Sequence, residues 1–471
     1  MLDRGGLLGV LTLVIYIWVA PAHIVDGDNA EFATLGALGG TAHPTGYPLC
    51  VLWLRLWSWL PAQSPAHAGA IATAILGAAQ IVVLHAACRA WGARPRAADV
   101  AVSMFAATPV VFAMHTEAEV FAMNGLVVAL VLWLSAASGP LRGLRRCGAL
   151  ALVAGLGLSD HVTCALVGGI GLLGFVRGVR ETDRKGRAIA LGVIAFAIGL
   201  TPYLYLLVAP DHQGTWGKPS SLADVLHMFL RQDYGGPTTF AARYIEQYPV
   251  ANILFLAKTI ARAYLWVPAL LGLVALGYRI ARPTQETRWG WALLAITFLI
   301  AGPLLATRFN LAPDLGVSSY VIERFHLLPL VLLVVPVACG LDLVGGWIIP
   351  RIPGQLIRSR AVARVLVLCG FVAVVGLSLP HILRSHAPAV EELVINTLRS
   401  LPERAVVIGT ADDLNNGSAY VQLVLGIRRD VDYINWPLMS LGWYRERKAN
   451  KGVKFEPGEG HASVRTAEHV F

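Results

Sequence analysis

The chain has 471 residues, 56% of them hydrophobic and only 14% charged. Soluble domains carry about a quarter charged residues, which excludes an ordinary soluble enzyme. The net charge of +9 lies mainly in short connections between apolar runs. It therefore reflects membrane topology, and no nucleic-acid partner is expected.

Long stretches such as Ala101 to Ala113, Leu126 to Ala137 and Leu327 to Leu341 carry no charge. A span needs about 20 mostly apolar residues, because the hydrocarbon core is ~30 Å thick and a helix rises ~1.5 Å per residue. The runs lack the alternation of barrel strands, so helices are expected. Eleven spans are read in chain order, at 6–25, 67–90, 98–114, 120–137, 147–160, 162–177, 187–208, 264–281, 289–307, 326–346 and 362–380. The first also has the outline of a signal peptide, with Arg4, an apolar stretch and small residues at Ala20 to Ala22, but the acids that follow read as part of the working protein. The six cysteines mostly lie in or beside spans and show no disulfide or metal-type spacing.

Basic residues recur in alternate connections, at Arg89–Arg96, Arg142–Arg146, Arg177–Arg187, Arg279–Arg288 and Arg351–Arg364. The positive-inside rule makes that side cytoplasmic. The expected organisation is a membrane domain at 1–380, with outer loops 26–66, 209–263 and 308–325, followed by a soluble domain at 381–471 on the outside. In that last part Val390 to Leu401 and Asn415 to Leu425 read as helices, and Ala405 to Gly409 and Val431 to Asn435 as strands. Strand, helix, strand predicts a small α/β unit with a parallel pair. The fold class is thus an all-α polytopic membrane protein with a small α/β C-terminal domain.

The polar residues of the outer side fall into five groups. Asp26-Gly27-Asp28-Asn29-Ala30-Glu31 follows the first span, and on a helix Asp28 and Glu31 share a face. Such carboxylates suit general-base work in a partly dry site, or simply flank the span. His43-Pro44-Thr45-Gly46-Tyr47-Pro48 predicts a rigid turn that fixes His43 and Tyr47, with Tyr47 as an interface anchor in the plainer reading. His115, Glu117 and Glu119 precede the fourth span, where an acid is costly unless paired or functional; a helix N-terminal charge is its ordinary role. His212, Trp216 and Lys218 share an outer loop with Arg231-Gln232-Asp233-Tyr234-Gly235, a mixture that suits sugar or phosphate as well as a packed loop. Arg324 enters the tenth span, placed to hold a phosphate or to snorkel.

These residues resemble a family of multi-spanning membrane proteins widespread in bacteria, marked by an acid-x-x-Glu pair and a His-Pro-Pro-Gly-Tyr-Pro-Leu motif. Here they read Asp28 to Glu31 and His43-Pro44-Thr45-Gly46-Tyr47-Pro48-Leu49. Eukaryotic relatives are transmembrane O-mannosyltransferases acting on plexin-type receptor domains, within the GT-C glycosyltransferases. Glu119-Val120-Phe121, the Gly155 to His161 stretch, Tyr203-Leu204-Tyr205, Trp216-Gly217, Gln232 to Gly235, Gly426 to Val431 and Trp443-Tyr444 extend the resemblance over nearly the whole chain. Thr45 replaces a usual proline, and Leu207-Val208-Ala209-Pro210 stands where a Pro-x-Arg is usual.

The resemblance implies a GT-C-like fold and a polyprenyl-phosphate sugar donor, with mannose as the first candidate sugar. It implies transfer with inversion to an extracytoplasmic hydroxyl on a protein or glycan. Asp28 is the expected base, with Glu31 and Asp26 next. Arg324, Lys218 and His212 are expected to face the leaving phosphate, and His43, Tyr47, His115, Glu119, His161 and Trp216 to line the substrate site. No cofactor is expected to be required, although Asp26-Gly27-Asp28 has the form of a divalent-metal motif. The expected setting is a bacterial cytoplasmic membrane with the active site outside, among membrane lipids. The alternatives are a flippase for a lipid-linked sugar and a non-catalytic scaffold.

Overall fold

The computed structural model describes residues 3–236, 248–315, 318–348 and 360–450, without the side chains of 347, 348, 360–368, 370 and 371. The arginines at 351, 358, 360 and 364, the central part of the 209–263 loop and the polar tail beyond 450 lie outside that description. Helices dominate. In chain order they are α1 (Arg4–Val19), α2 (Asn29–Leu38), α3 (Pro48–Trp57), α4 (Pro65–Ala90), α5 (Pro95–Ala106), α6 (Pro109–Thr116), α7 (Phe121–Ser135), α8 (Gly143–Asp160), α9 (Gly168–Arg180) and α10 (Lys185–Gly199). Then come α11 (Leu222–Phe229), α12 (Pro249–Tyr264), α13 (Trp266–Ala281), α14 (Arg288–Leu299), α15 (Ser318–Phe325), α16 (Leu327–Leu343) and α17 (Arg360–Ser385). The last part holds α18 (Ala389–Ser400), β1 (Val406–Gly409), α19 (Asp412–Ala419), β2 (Asp432–Asn435) and α20 (Gly442–Ala449).

Among the described residues four helical stretches are long and apolar enough to cross a membrane, or six if each bent pair is one span. Shorter apolar helices, α1, α3, α7 and Arg288–Leu304, accompany them. The chain is an integral multi-pass membrane protein. The breaks have local causes. Pro109 starts α6 directly after α5, and the two meet at 69°, because proline cannot continue the hydrogen-bond ladder of a preceding helix. Leu265, at φ 58°, separates α12 from α13, which meet at 104°. The segment read as outer loop 209–263 is corrected here. Its end, from Pro249, is helix α12, whose Asn252, Lys258 and Arg262 dilute an otherwise apolar sequence. The loop expected at 308–325 likewise contains α15.

The chain divides into two compact units. The first comprises 1–20, 70–202 and 239–386. Helices α8 and α10 approach closely in it because Gly155 faces Gly199; a Cβ on Gly155 would lie 2.4 Å from the Phe196 carbonyl oxygen. The basic connections are more than linkers. Fully buried Arg146 lies 3.1 Å from Glu181, and Arg177 pairs with Glu286. Glu286 also accepts the Ala137 N–H at 2.7 Å, so this one buried carboxylate ties three connections together.

The second unit comprises 21–69, 203–238 and the chain from 387. Strands β1 and β2 pair in parallel, Val406 opposite Asp432 and Gly409 opposite Asn435, with α19 between them in sequence. This α/β part shares its apolar core with the first outer segment: Ile24, Ala30, Ala33 and Ala66 pack with Val394, Leu398, Tyr420 and Val421. Glu391 accepts the Ile24 N–H at 3.1 Å and Asp413 the Gly27 N–H at 2.8 Å.

Helix α3 buries Val51 and Leu54 and leaves an apolar ridge outward, with Leu56 58% and Trp59 71% exposed. Trp53 and Trp57 rings lie 5.6 Å apart, and Trp57 stacks on Trp59. Tryptophans with leucines, six residues before α4 begins, suit the headgroup level of a bilayer. A fluorophore on Leu56→Cys, in the full chain in nanodiscs, should be quenched by shallow lipid-borne nitroxides more than by an aqueous quencher. The reverse order would place the ridge in water.

Candidate active site in the second unit

The site begins where the first outer segment turns into α2. Gly27, at φ 80°, makes the turn, and Asp28 takes the N-cap position of α2 without a side-chain capping bond. Glu31 follows in the first helical turn. Its Oε1 accepts the His43 backbone N–H at 2.8 Å, and its Oε2 lies 2.6 Å from His43 Nδ1. A nearly buried carboxylate thus holds the His43 turn from two directions. Asp28, Glu31 and His43 each place a ligand atom within 4.8 Å of the others, the shared face expected from their spacing. Exposed Asp26 stands outside that donor group.

Aromatic rings surround the group. The His43 ring centroid lies 4.9 Å from Tyr47 and 6.4 Å from Trp216, and Phe32 touches both His43 and Tyr47. Trp216 continues to Tyr234 at 5.6 Å and Trp443 at 6.0 Å. The Trp216 backbone N–H donates to the Thr41 carbonyl at 2.9 Å, and its indole N–H to Asp233 at 3.0 Å. Tyr47, at φ 41°, caps α3. Burial pushes its hydroxyl well above the usual range; Arg231 opposes this, and Asp28, Tyr234 and Glu31 reinforce it.

Three residues absent from the sequence-derived site enter here. Arg231 adopts φ 53° and lies over the Tyr234 ring at 5.2 Å. Loss of solvent around the Tyr234 hydroxyl, then the charges of Glu31 and Asp28, push it up, with Arg231 opposing. Asp412 arrives from the first turn of α19. Part of it is open to solvent, yet loss of solvent around its carboxyl, then Asp28 and Asp413, hold it above the usual carboxylate range. Its sequence signal was an acid just past the end of a parallel strand, at the start of a helix, where open α/β sheets bind ligands.

Two residues expected to face the phosphate make protein contacts here. His212 Nε2 is 2.9 Å from the Gly39 carbonyl oxygen, and Nδ1 accepts the Gly214 N–H at 3.2 Å. Both nitrogens are committed to the loop, and burial, the leading cause, lowers its pKa. The two contacts make His212 part of the loop's own structure. Arg324, in the first unit, lies 3.3 Å from buried Glu119 and over the Tyr320 and Phe121 rings. Each therefore answers the other's charge. His115 is packed between Tyr16 and Phe105 and against Gly77, a core position in that unit. His161 is held by Thr163 at 2.7 Å between Phe121 and Phe325. Lys218 is exposed.

Residues 28–182 match the family model described as the Protein O-mannosyl-transferase TMEM260 N-terminal domain. Protein O-mannosyl-transferase tmem260 of Dictyostelium discoideum is 22% identical over 475 residues, covering 93% of this chain and 58% of that protein. Its Mus musculus counterpart is 24% identical over 469 residues, covering 94% and 64%. The chain thus spans about three-fifths of the length of these relatives. Among solved structures, ArnT from Cupriavidus metallidurans bound to undecaprenyl phosphate aligns with a TM-score of 0.53 at 15% identity, over 87% of this chain and 84% of that one. Its apo state aligns at 0.50 and 14% identity, over 93% and 90%. The chain is thus similar in sequence to TMEM260 protein O-mannosyl-transferases, and its fold is similar to that of the ArnT structures.

The His212 tautomer has a pH consequence. Its folded pKa lies below the unfolded value, which for histidine is about 6.5. The unfolded state therefore takes up the proton first. The contribution is complete above pH ~6.5 and is lost as pH falls below that value. Between pH 7 and 5 the thermal midpoint of the wild type should fall more steeply than that of His212→Gln. Parallel profiles would show a charged or solvated imidazole.

Proposed function

We propose that the protein is a membrane glycosyltransferase that moves a sugar, mannose in the first instance, from a polyprenyl-phosphate donor to a hydroxyl on a protein or glycan. The reaction takes place on the extracytoplasmic side. The observation that carries this reading is the convergence of Asp28, Glu31 and His43, beside an aromatic wall and Arg231. Flat apolar sugar faces stack on such rings, and Trp216, Tyr234 and Trp443 provide them.

The chemistry follows from charge. As the C1–O bond to the lipid phosphate breaks, the leaving group gains negative charge, and a fixed cation aimed at it stabilises the transition state. Arg231 takes that role in place of His212 and Arg324. On the other face of the sugar the acceptor hydroxyl loses its proton as its oxygen attacks C1, which inverts the anomeric centre. Asp28, at the N-cap of α2 beside Glu31 and His43, is the base, and Glu31 holds the His43 turn. Base and cation flank one sugar and one phosphate, on the order of 10 Å together.

The runner-up class, a flippase for the same lipid, needs no base. Asp28→Asn keeps the side chain's size but cannot take a proton. It should fold and bind donor normally while transfer falls about 10²–10⁴-fold. Undiminished transfer would remove the base, and absence of transfer in the wild type would favour the flippase. Arg231→Gln should lower turnover more than Arg231→Lys. Sidedness has its own check: an impermeant thiol reagent on intact cells should label a cysteine at exposed position 218 and spare one at 183.

A further inference from the structure

The Asp28, Glu31 and His43 group is also a donor set. It offers two carboxylate oxygens and one imidazole nitrogen, all within 4.8 Å. All-oxygen sets suit Mg²⁺ and Ca²⁺, and sulfur- and imidazole-rich sets suit zinc; the mixed set suits a cation of the Mn²⁺ class. The donors are built in. Asp28 and Glu31 sit on one helical start, Glu31 is buried, and its contact with the His43 backbone fixes the third donor. Two carboxylates converge in the set, and a dication would offset their mutual repulsion. The Asp26-Gly27-Asp28 form of a metal motif is replaced by a different set, in which Glu31 and His43 take the place of Asp26.

We propose that Asp28, Glu31 and His43 bind one divalent cation of the Mn²⁺ class. Its role rests on the glycosyltransferase reading; its binding does not. In transfer the cation would hold the acceptor oxygen and lower the pKa of that hydroxyl. A carboxylate has two oxygens, so Asp28 can bind the cation with one and receive the proton on the other. The new O–C1 bond forms as the C1–O bond to phosphate breaks, and the electron pair leaves with the phosphate. Nothing is oxidised or reduced.

Trp216 supplies the probe, since its ring lies 6.4 Å from that of His43 and tryptophan sensitises bound Tb³⁺. The full chain, purified in detergent without donor or acceptor, should give saturable Tb³⁺ emission that Mn²⁺ displaces. Asp28→Asn and Glu31→Gln should each weaken Tb³⁺ binding at least tenfold. Trp216→Phe should lower the emission while Mn²⁺ binding, followed by electron paramagnetic resonance, persists. Exposed Asp224→Asn should change nothing. If Mn²⁺ fails to bind in the millimolar range, or binds equally well to folded Asp28→Asn, the inference falls, even if the chelator-treated protein still transfers sugar. If Mn²⁺ binds as described and no sugar is transferred, the cation site stands and the transferase reading falls.

Discussion

Glu31 has only 8% of its side chain exposed, and a carboxylate so placed must be answered by donors. His43 answers it twice, through the backbone and the ring. Removing one partner from a buried charged group costs several times what an exposed pair is worth. The contact therefore holds the segment from Gly39 to Tyr47 against the start of α2. The position of Tyr47 follows, because Pro48 opens α3 directly behind it. The Trp216 loop follows as well, since it hangs on the Thr41 carbonyl.

The same turn is held from the other end of the sequence. Asp413 accepts the Gly27 N–H, Glu391 accepts that of Ile24, and Gly417 lets α19 close on Ile24 and Val394. A Cβ at Gly417 would meet Val394 at 2.7 Å. The α/β part therefore supports the turn that leads into Asp28. Its two short strands would be marginal alone, and the core shared with residues 24–33 supplies the burial they lack.

The parts legible in the sequence were those with local grammar. Asp28 and Glu31 fall one helical turn apart, and the prolines and glycine around His43 fix a turn, so each group could be read directly, while the Glu31–His43 contact that joins them could not. The parallel strand pair was equally plain from two β-type runs separated by a helix. Asp412 was not, because nothing local says that an acid 384 positions after Asp28 returns to it; long-range packing makes that pair. Helix α12 was hidden because Lys258 and Arg262 interrupt its hydropathy. The contacts of His212 were illegible for a different reason. Its sequence context shows a titratable ring on a polar loop, while its state is set by two backbone contacts visible only after folding.

Charge placement decides between the candidates for each chemical role. Glu119 and Arg324 answer each other in the first unit, so neither is free to respond fully to charge that appears during a reaction. In the second unit the balance differs: Asp28, Glu31 and Asp412 share a neighbourhood with His43, and Arg231 stands over Tyr234. Glu31 is tied to His43 through backbone and ring, and Asp28 stands at the N-cap of α2 within ligand distance of both. A phosphate stabiliser needs a cation held in place in advance. Arg231 meets that condition through its left-handed backbone, which costs on the order of 1 kcal/mol and persists because the surrounding fold imposes it.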